Sequence, residues 1–328
     1  MNDGQLVHGS LGAALESIFM VFIQPEAQKF LDLNRDAPQL DTRTPEENRA
    51  AQLKTASAWG KKTRMASVYE TSVRCVTVRV YIPEGLELSD AQPAEPAFIF
   101  FHGGGWVLGD LETTDTTVRD IAAESGIMCI SVHYRRAPEH PFPAPLDDCR
   151  AVVDGVLQGE SGIDIDPTRV AVGGDSAGGN IAAVIAQELR DKLAHQVLIY
   201  PVMDLSTFDT QSHSDFSDGY YLTRRRLNYF YDSCAGDADR TDIRMSPGKN
   251  HDLAGLPPAT VITGELDPLV SEVSDYVERM LNAGNVVSSI EFKGQVHPFV
   301  QMGGIISDAL IARTIIGSEL KRALRGRG

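Results

Sequence analysis

The sequence has little of what membrane, nucleic-acid or metal work requires. No stretch of its 328 residues approaches the roughly 18 apolar residues that span a bilayer. An apolar patch at Ile18 to Ile23 has no basic region ahead of it, and Asp3 and Glu16 stand where a leader would be positively charged. Cysteine is scarce: Cys75, Cys129, Cys149 and Cys234 form no CxxC and no close set with histidine, which excludes a disulfide framework and a zinc site. Positive charge is also short, with 30 Lys and Arg against 45 Asp and Glu, a net charge of −15. Nucleic acid and anionic membranes would be repelled at long range. These shortages predict a cytoplasmic protein with a small-molecule partner, no metal, no nucleic acid and no membrane.

What the chain does contain is the making of a core, with 42% hydrophobic and 23% charged residues and no repeats. Helical patterns open it, an amphipathic piece at Leu11 to Phe30 and a second at Pro45 to Lys61. Thr44 is placed to cap the second, with Pro45 at its first position and Glu46 and Glu47 in its first turn. Alternating residues from Val73 through Val80 predict a half-buried strand ending at Pro83. Short apolar runs then alternate with longer helical patterns. The runs are Phe98 to Phe101, Met128 to Tyr134, Val170 to Val172, Val197 to Tyr200, Thr260 to Thr263 and Val286 to Phe292. The helices are Thr114 to Glu124, Pro145 to Leu157, Gly179 to Leu193, Ser271 to Ala283 and Ile306 to Leu324. This rhythm predicts an α/β fold, a mostly parallel sheet with helices on both faces and an antiparallel lead-in. Asp204 to Lys249 breaks it and reads as a lid insertion with a helix at Thr223 to Tyr231.

The stretch from Arg169 to Asn180, RVAVGGDSAGGN, reads as strand, tight turn and helix with Ser176 at the turn. Gly174 and Gly178 flank it in GxSxG spacing, because strand and helix can close on a sharp turn only where no Cβ intervenes. A phosphate loop would want Lys and then Ser or Thr, and Gly179 is followed by Asn180. A mere packing turn stays open on this stretch alone.

Context narrows it. His102, Gly103, Gly104, Gly105 and Trp106 follow a strand, and bare glycine N–H groups suit an oxyanion hole. Gly103 and Gly104 are the expected donors, joined by the N–H of Ala177. A serine needs a base, and of eight histidines His297 follows a strand in GQVHPF. His102 is expected to order the glycine loop, and His133 to sit in the core. The base needs a carboxylate, and Asp267 heads the next helix, with Glu265 as its rival. The order Ser176, Asp267, His297 is that of an α/β-hydrolase. Trp106, Phe216, Tyr220, Tyr221, Leu222, Phe19 and Phe22 are candidate pocket walls.

HGGGW at 102–106, YRRAPEHPFPAPLDD at 134–148, GDSAGG at 174–179, DGYYLT at 218–223, DPL at 267–269 and HPF at 297–299 resemble the bacterial hormone-sensitive-lipase-like carboxylesterases. The resemblance covers Phe98 onward. It implies an eight-stranded α/β-hydrolase sheet over residues 61–328 with a helical cap, built from residues 1–60 and an insertion at about 204–249. It also implies cofactor-free hydrolysis of short- to medium-chain acyl esters by Ser176, Asp267 and His297, with Gly103, Gly104 and Ala177 holding the oxyanion. Dimers are common in that family, so a homodimer stays among the open partners. An amidase or peptidase with the same triad, and a non-catalytic binder, are the alternatives. The chain departs from the family pattern at Arg136, at Ser271 and at Pro298.

Overall fold

The computed structural model describes residues 21–86 and 94–326. Among these residues one sheet has eight strands, ordered β1-β2-β4-β3-β5-β6-β7-β8. They are β1 Ser67–Val73, β2 Val76–Ile82, β3 Glu95–Phe101, β4 Met128–Val132, β5 Ile165–Asp175, β6 His195–Ile199, β7 Ala259–Leu266 and β8 Val287–Val296. β1 and β2 pair antiparallel, β2 joins β4 antiparallel, and the remaining pairings are parallel. This is the expected mostly parallel sheet with an antiparallel lead-in.

β3 shows why a run without alternation becomes a central strand. Ile99 and Phe101 enter the core on one face, and Phe98 and Phe100 enter that on the other. Both faces are dry, so every position must be apolar. Helices α4 (Ala144–Leu157), α5 (Ala177–Glu188) and α8 (Val270–Asn282) contribute to the first core. Helices α3 (Asp115–Ser125) and α9 (Ser307–Arg325) contribute to the second and pack on each other.

Several boundaries differ from the sequence reading. The single strand expected from Val73 is a hairpin, because Arg74 and Cys75 turn the chain with φ of 46° and 67°. Neither is Gly or Asn, so the residues carry no turn signal. Helix α5 ends at Glu188, short of Leu193, and β8 runs on to Val296. His133 follows β4 half-buried rather than in the core, and His195 begins β6, where its ring meets Thr260 Oγ1 at 2.9 Å. The second N-terminal helix, α2 (Pro45–Leu53), starts with the expected Thr44 cap, and Thr44 and Glu47 satisfy each other's N–H. The first, α1 (Pro25–Asn34), keeps only the end of the amphipathic piece; Leu11 to Met20 lie outside the described residues.

The long connection after β6 carries α6 (Gln211–Phe216) and α7 (Arg224–Ala235). Phe30 of α1 meets Tyr221 with ring centroids 4.8 Å apart, and Arg225 pairs with Asp41. The two helical segments thus meet each other above the ends of the parallel strands.

Candidate active site

β5 runs directly into α5, and Ser176 is the corner. Its φ of 54° and ψ of −116° lie in a region L-residues rarely adopt, and its N–H is held by Ile199 O at 2.8 Å. The glycines around it are a steric need: a Cβ on Gly178 would stand 2.0 Å from Phe101 O, and one on Gly174 2.4 Å from the same atom. The corner lifts the Ser176 hydroxyl off the sheet at the N-terminus of α5, where developing negative charge is favoured.

β8 delivers His297 and β7 delivers Asp267. His297 Nε2 lies 3.0 Å from Ser176 Oγ, and its Nδ1 lies 2.7 Å from Asp267 Oδ2. All three are buried, and Asp267 Oδ1 also accepts from Leu269 N at 2.9 Å. The rival Glu265 instead accepts from Gly294 N and pairs with Lys293. Tyr200 lies against the imidazole, with ring centroids 4.5 Å apart. Ser271, where the family pattern has Asp, ties the Asp267 loop to α6: its Oγ accepts from Ser212 N, and Ser212 Oγ donates to Pro268 O at 2.6 Å.

The glycine loop corrects one expectation. Gly103 N donates to Asp175 Oδ1 at 2.8 Å, so that N–H is already used and cannot face an oxyanion. The N–H groups of Gly104, Gly105 and Ala177 have no acceptor among the described residues. Gly104 adopts φ of 108°, which a side chain would oppose. Asp175, next to the serine, therefore clamps the loop to the Ser176 turn. Burial pushes its carboxyl up to about 6, against the pull of the hydrogen bonds it accepts. His102 stacks on Tyr134 at 4.0 Å, its Nδ1 sits 2.9 Å from Gly103 O, and burial pushes it down to about 3. It is a neutral spacer that orders the loop. Arg49 of α2 supports the far end of the loop by donating to Val107 O and Ala137 O while pairing with Glu139. Gln52 accepts from Gly109 N at 3.0 Å, and Arg136 donates to Gly109 O.

A cavity of about 210 Å³ opens over Ser176 and His297. Of the expected walls, Trp106, Tyr221 and Leu222 line it. Phe216 and Tyr220 do not: they pack on each other at 5.3 Å, and Tyr220 borders a neighbouring depression. Phe22 lies 60% exposed, against Gly294, and Phe19 lies outside the described residues. The sequence reading missed Leu227, Phe230 and Met302 as walls and Gly105 as a free donor. Only Gly105 had a signal, as the third glycine of its run. Among the described residues no cluster of three or more metal-ligating side chains occurs, and no helix is long and apolar enough to cross a membrane.

Residues 98–301 match the α/β hydrolase fold family. The chain is 38% identical to the carboxylic ester hydrolase LipN of Mycobacterium tuberculosis, over 64% of this chain and 60% of LipN. It is 35% identical to an ethyl acetate hydrolase of Pseudomonas putida, over 71% of this chain and 74% of that protein. Among solved structures, the ester hydrolase EH1AB1 from the Lake Arreo metagenome superimposes with a TM-score of 0.85 at 35% identity, covering 92% of this chain and 98% of its own. The chain belongs to the α/β-hydrolase family and, within it, to the hormone-sensitive-lipase-like carboxylesterases, which makes it a carboxylic ester hydrolase.

Proposed function

We propose that the chain hydrolyses short- to medium-chain acyl esters through an acyl-enzyme on Ser176. The observation that carries this is the continuous contact from Ser176 Oγ through His297 to Asp267. His297 Nε2 takes the hydroxyl proton as Ser176 Oγ bonds to the ester carbonyl carbon, and the carbonyl oxygen becomes an oxyanion. Gly104, Gly105 and Ala177 donate to it. His297 then passes the proton to the leaving alcohol as the carbon–oxygen bond breaks. Water then bonds to the acyl carbon as His297 takes its proton, and His297 returns that proton to Ser176 Oγ as the acyl–Oγ bond breaks and the acid leaves. Asp267 holds the imidazole in the tautomer that keeps Nε2 free to accept, and stabilises the imidazolium between transfers.

The cavity volume of about 210 Å³ supports small substrates, since ligand pockets usually hold roughly 300–1,000 Å³. The relative that hydrolyses ethyl acetate supports the same size class. The N-terminal helices and the insertion act as the cap. The four unpaired cysteines support a cytoplasmic setting. Ser176→Ala tests the roles directly. It is expected to lower kcat on a short acyl ester by about 10⁴- to 10⁶-fold with the fold intact. A serine-directed phosphonate should label Ser176 alone in mass mapping, and retention of even a tenth of wild-type activity would remove Ser176 as nucleophile. An acyl chain-length series checks the size class, and a preference for long chains would overturn it.

A further inference from the structure

The cavity over Ser176 is uneven in charge. Besides His297, its charged lining is Asp175, Arg43 and Arg226. Asp175 is 3% exposed and committed to Gly103 N, so it presents little charge to the opening. Both arginines come from the helical side: Arg43 lies between the Leu40–Thr42 turn and α2, and Arg226 lies in the first turn of α7. Most nearby arginines have a carboxylate partner, Arg35 with Asp32, Arg49 with Glu139 and Arg225 with Asp41, while Arg224 instead lies over the Phe208 ring. Arg43 and Arg226 have no carboxylate partner among the described residues, in a chain where acidic residues outnumber basic ones by 45 to 30. The Arg226 guanidinium lies 4.1 Å from the Tyr221 ring centroid. Stacking fixes its plane and leaves its N–H edge for a ligand.

A guanidinium held by a ring face, in a concave wall that a second arginine also lines, suits bidentate capture of a carboxylate. We infer that the preferred substrates are esters bearing a carboxylate, on the acyl chain or on the alcohol, held by Arg226 and Arg43 while the ester carbonyl lies at Ser176. This rests on the esterase reading above and narrows its substrate class. The carboxylate fixes the distance between anchor and reacting carbon, so positioning rather than bulk selects the ester.

The test compares kcat/KM within matched pairs, so that the fraction of active enzyme cancels. Mono-4-nitrophenyl adipate against 4-nitrophenyl hexanoate probes the acyl side; 4-acetoxybenzoate against 4-acetoxybenzamide probes the alcohol side. In at least one pair the wild-type ratio of anionic to neutral ester should exceed one, after correction for spontaneous hydrolysis. Arg226→Gln should lower that ratio about tenfold, Arg43→Gln should lower it less, and 0.5 M salt should lower it in the wild type. A wild-type ratio at or below one in both pairs overturns the inference, as does a ratio that Arg226→Gln leaves within twofold. Hydrolysis of none of the four compounds above the Ser176→Ala level would instead overturn the esterase reading, and this one with it.

Discussion

The two sides of the cavity are held by different physics. On the sheet side, Ser176, Asp267, His297 and Asp175 are buried, and each meets a polar partner within hydrogen-bond reach. Their positions follow from backbone packing, with Gly174 and Gly178 pressed against Phe101 O. On the helical side, Leu227, Phe230 and Tyr231 are anchored in the core, but the outer links are an ion pair open to water, a tilted pair of rings, and arginines with no acidic partner among the described residues. Chemistry is thus placed where a side chain has one position. Selection, on the inference above, rests on Arg226 and Arg43, which line the cavity without being part of the buried core.

That contrast is broken most severely by adding a methyl group on the wrong side. Gly178→Ala puts its Cβ into Phe101 O, a backbone atom that cannot step aside, and should cost about 4 kcal/mol or more. Gly219, on the insertion, has φ of 80° and open space around it. Gly219→Ala there should cost only the strain of a left-handed residue, about 1–2 kcal/mol. Urea midpoints of the two variants check this. Equal losses would show that the helical side is as tightly determined as the sheet.

A second test uses charge. The carboxyl of Asp175 stands at about 6 against an ordinary 3.8, so the folded protein resists its ionisation. A raised carboxyl gives its full stability below pH 4 and loses it as pH climbs through 6. Asn in its place stays neutral and keeps an oxygen for Gly103 N. The stability of the wild type relative to Asp175→Asn should therefore fall by about 3 kcal/mol between pH 4 and pH 7, then level off. Paired unfolding curves across that range read it, and a constant difference would mean that burying the charge is not what the clamp costs.

How much the residues revealed follows the same division. The roles expected of Ser176, Asp267 and His297 rested on short motifs at strand ends, and the fold brings those three side chains into contact. Glycine was informative because a local steric demand can be met by no other residue. The choice of Gly103 as a donor erred because the motif does not say which N–H an adjacent carboxylate takes; Asp175 decides it. The walls were harder to read, because aromatic residues in DGYYLT alternate in direction and only tertiary packing turns Tyr221 inward while Tyr220 meets Phe216. Arg49 gave no signal at all: its partners lie 58 to 90 residues further along the chain.

The smallest effect is expected at the seam of the helical side itself. Arg225 of α7 and Asp41 are 2.8 Å apart, the one ion pair identified among the described residues between the N-terminal segment and the insertion. Their side chains are 55% and 41% exposed, so water and salt screen them, and ordering two long side chains consumes much of the attraction. Arg225→Gln should cost about 0.5 kcal/mol or less and leave the adipate-to-hexanoate ratio where it is, since Arg225 does not line the cavity. Thermal melts and the same ester pair measure both. A loss above about 1 kcal/mol would place the cohesion of this side in its surface charges, and the apolar contacts of Phe30 with Tyr221 would then be secondary.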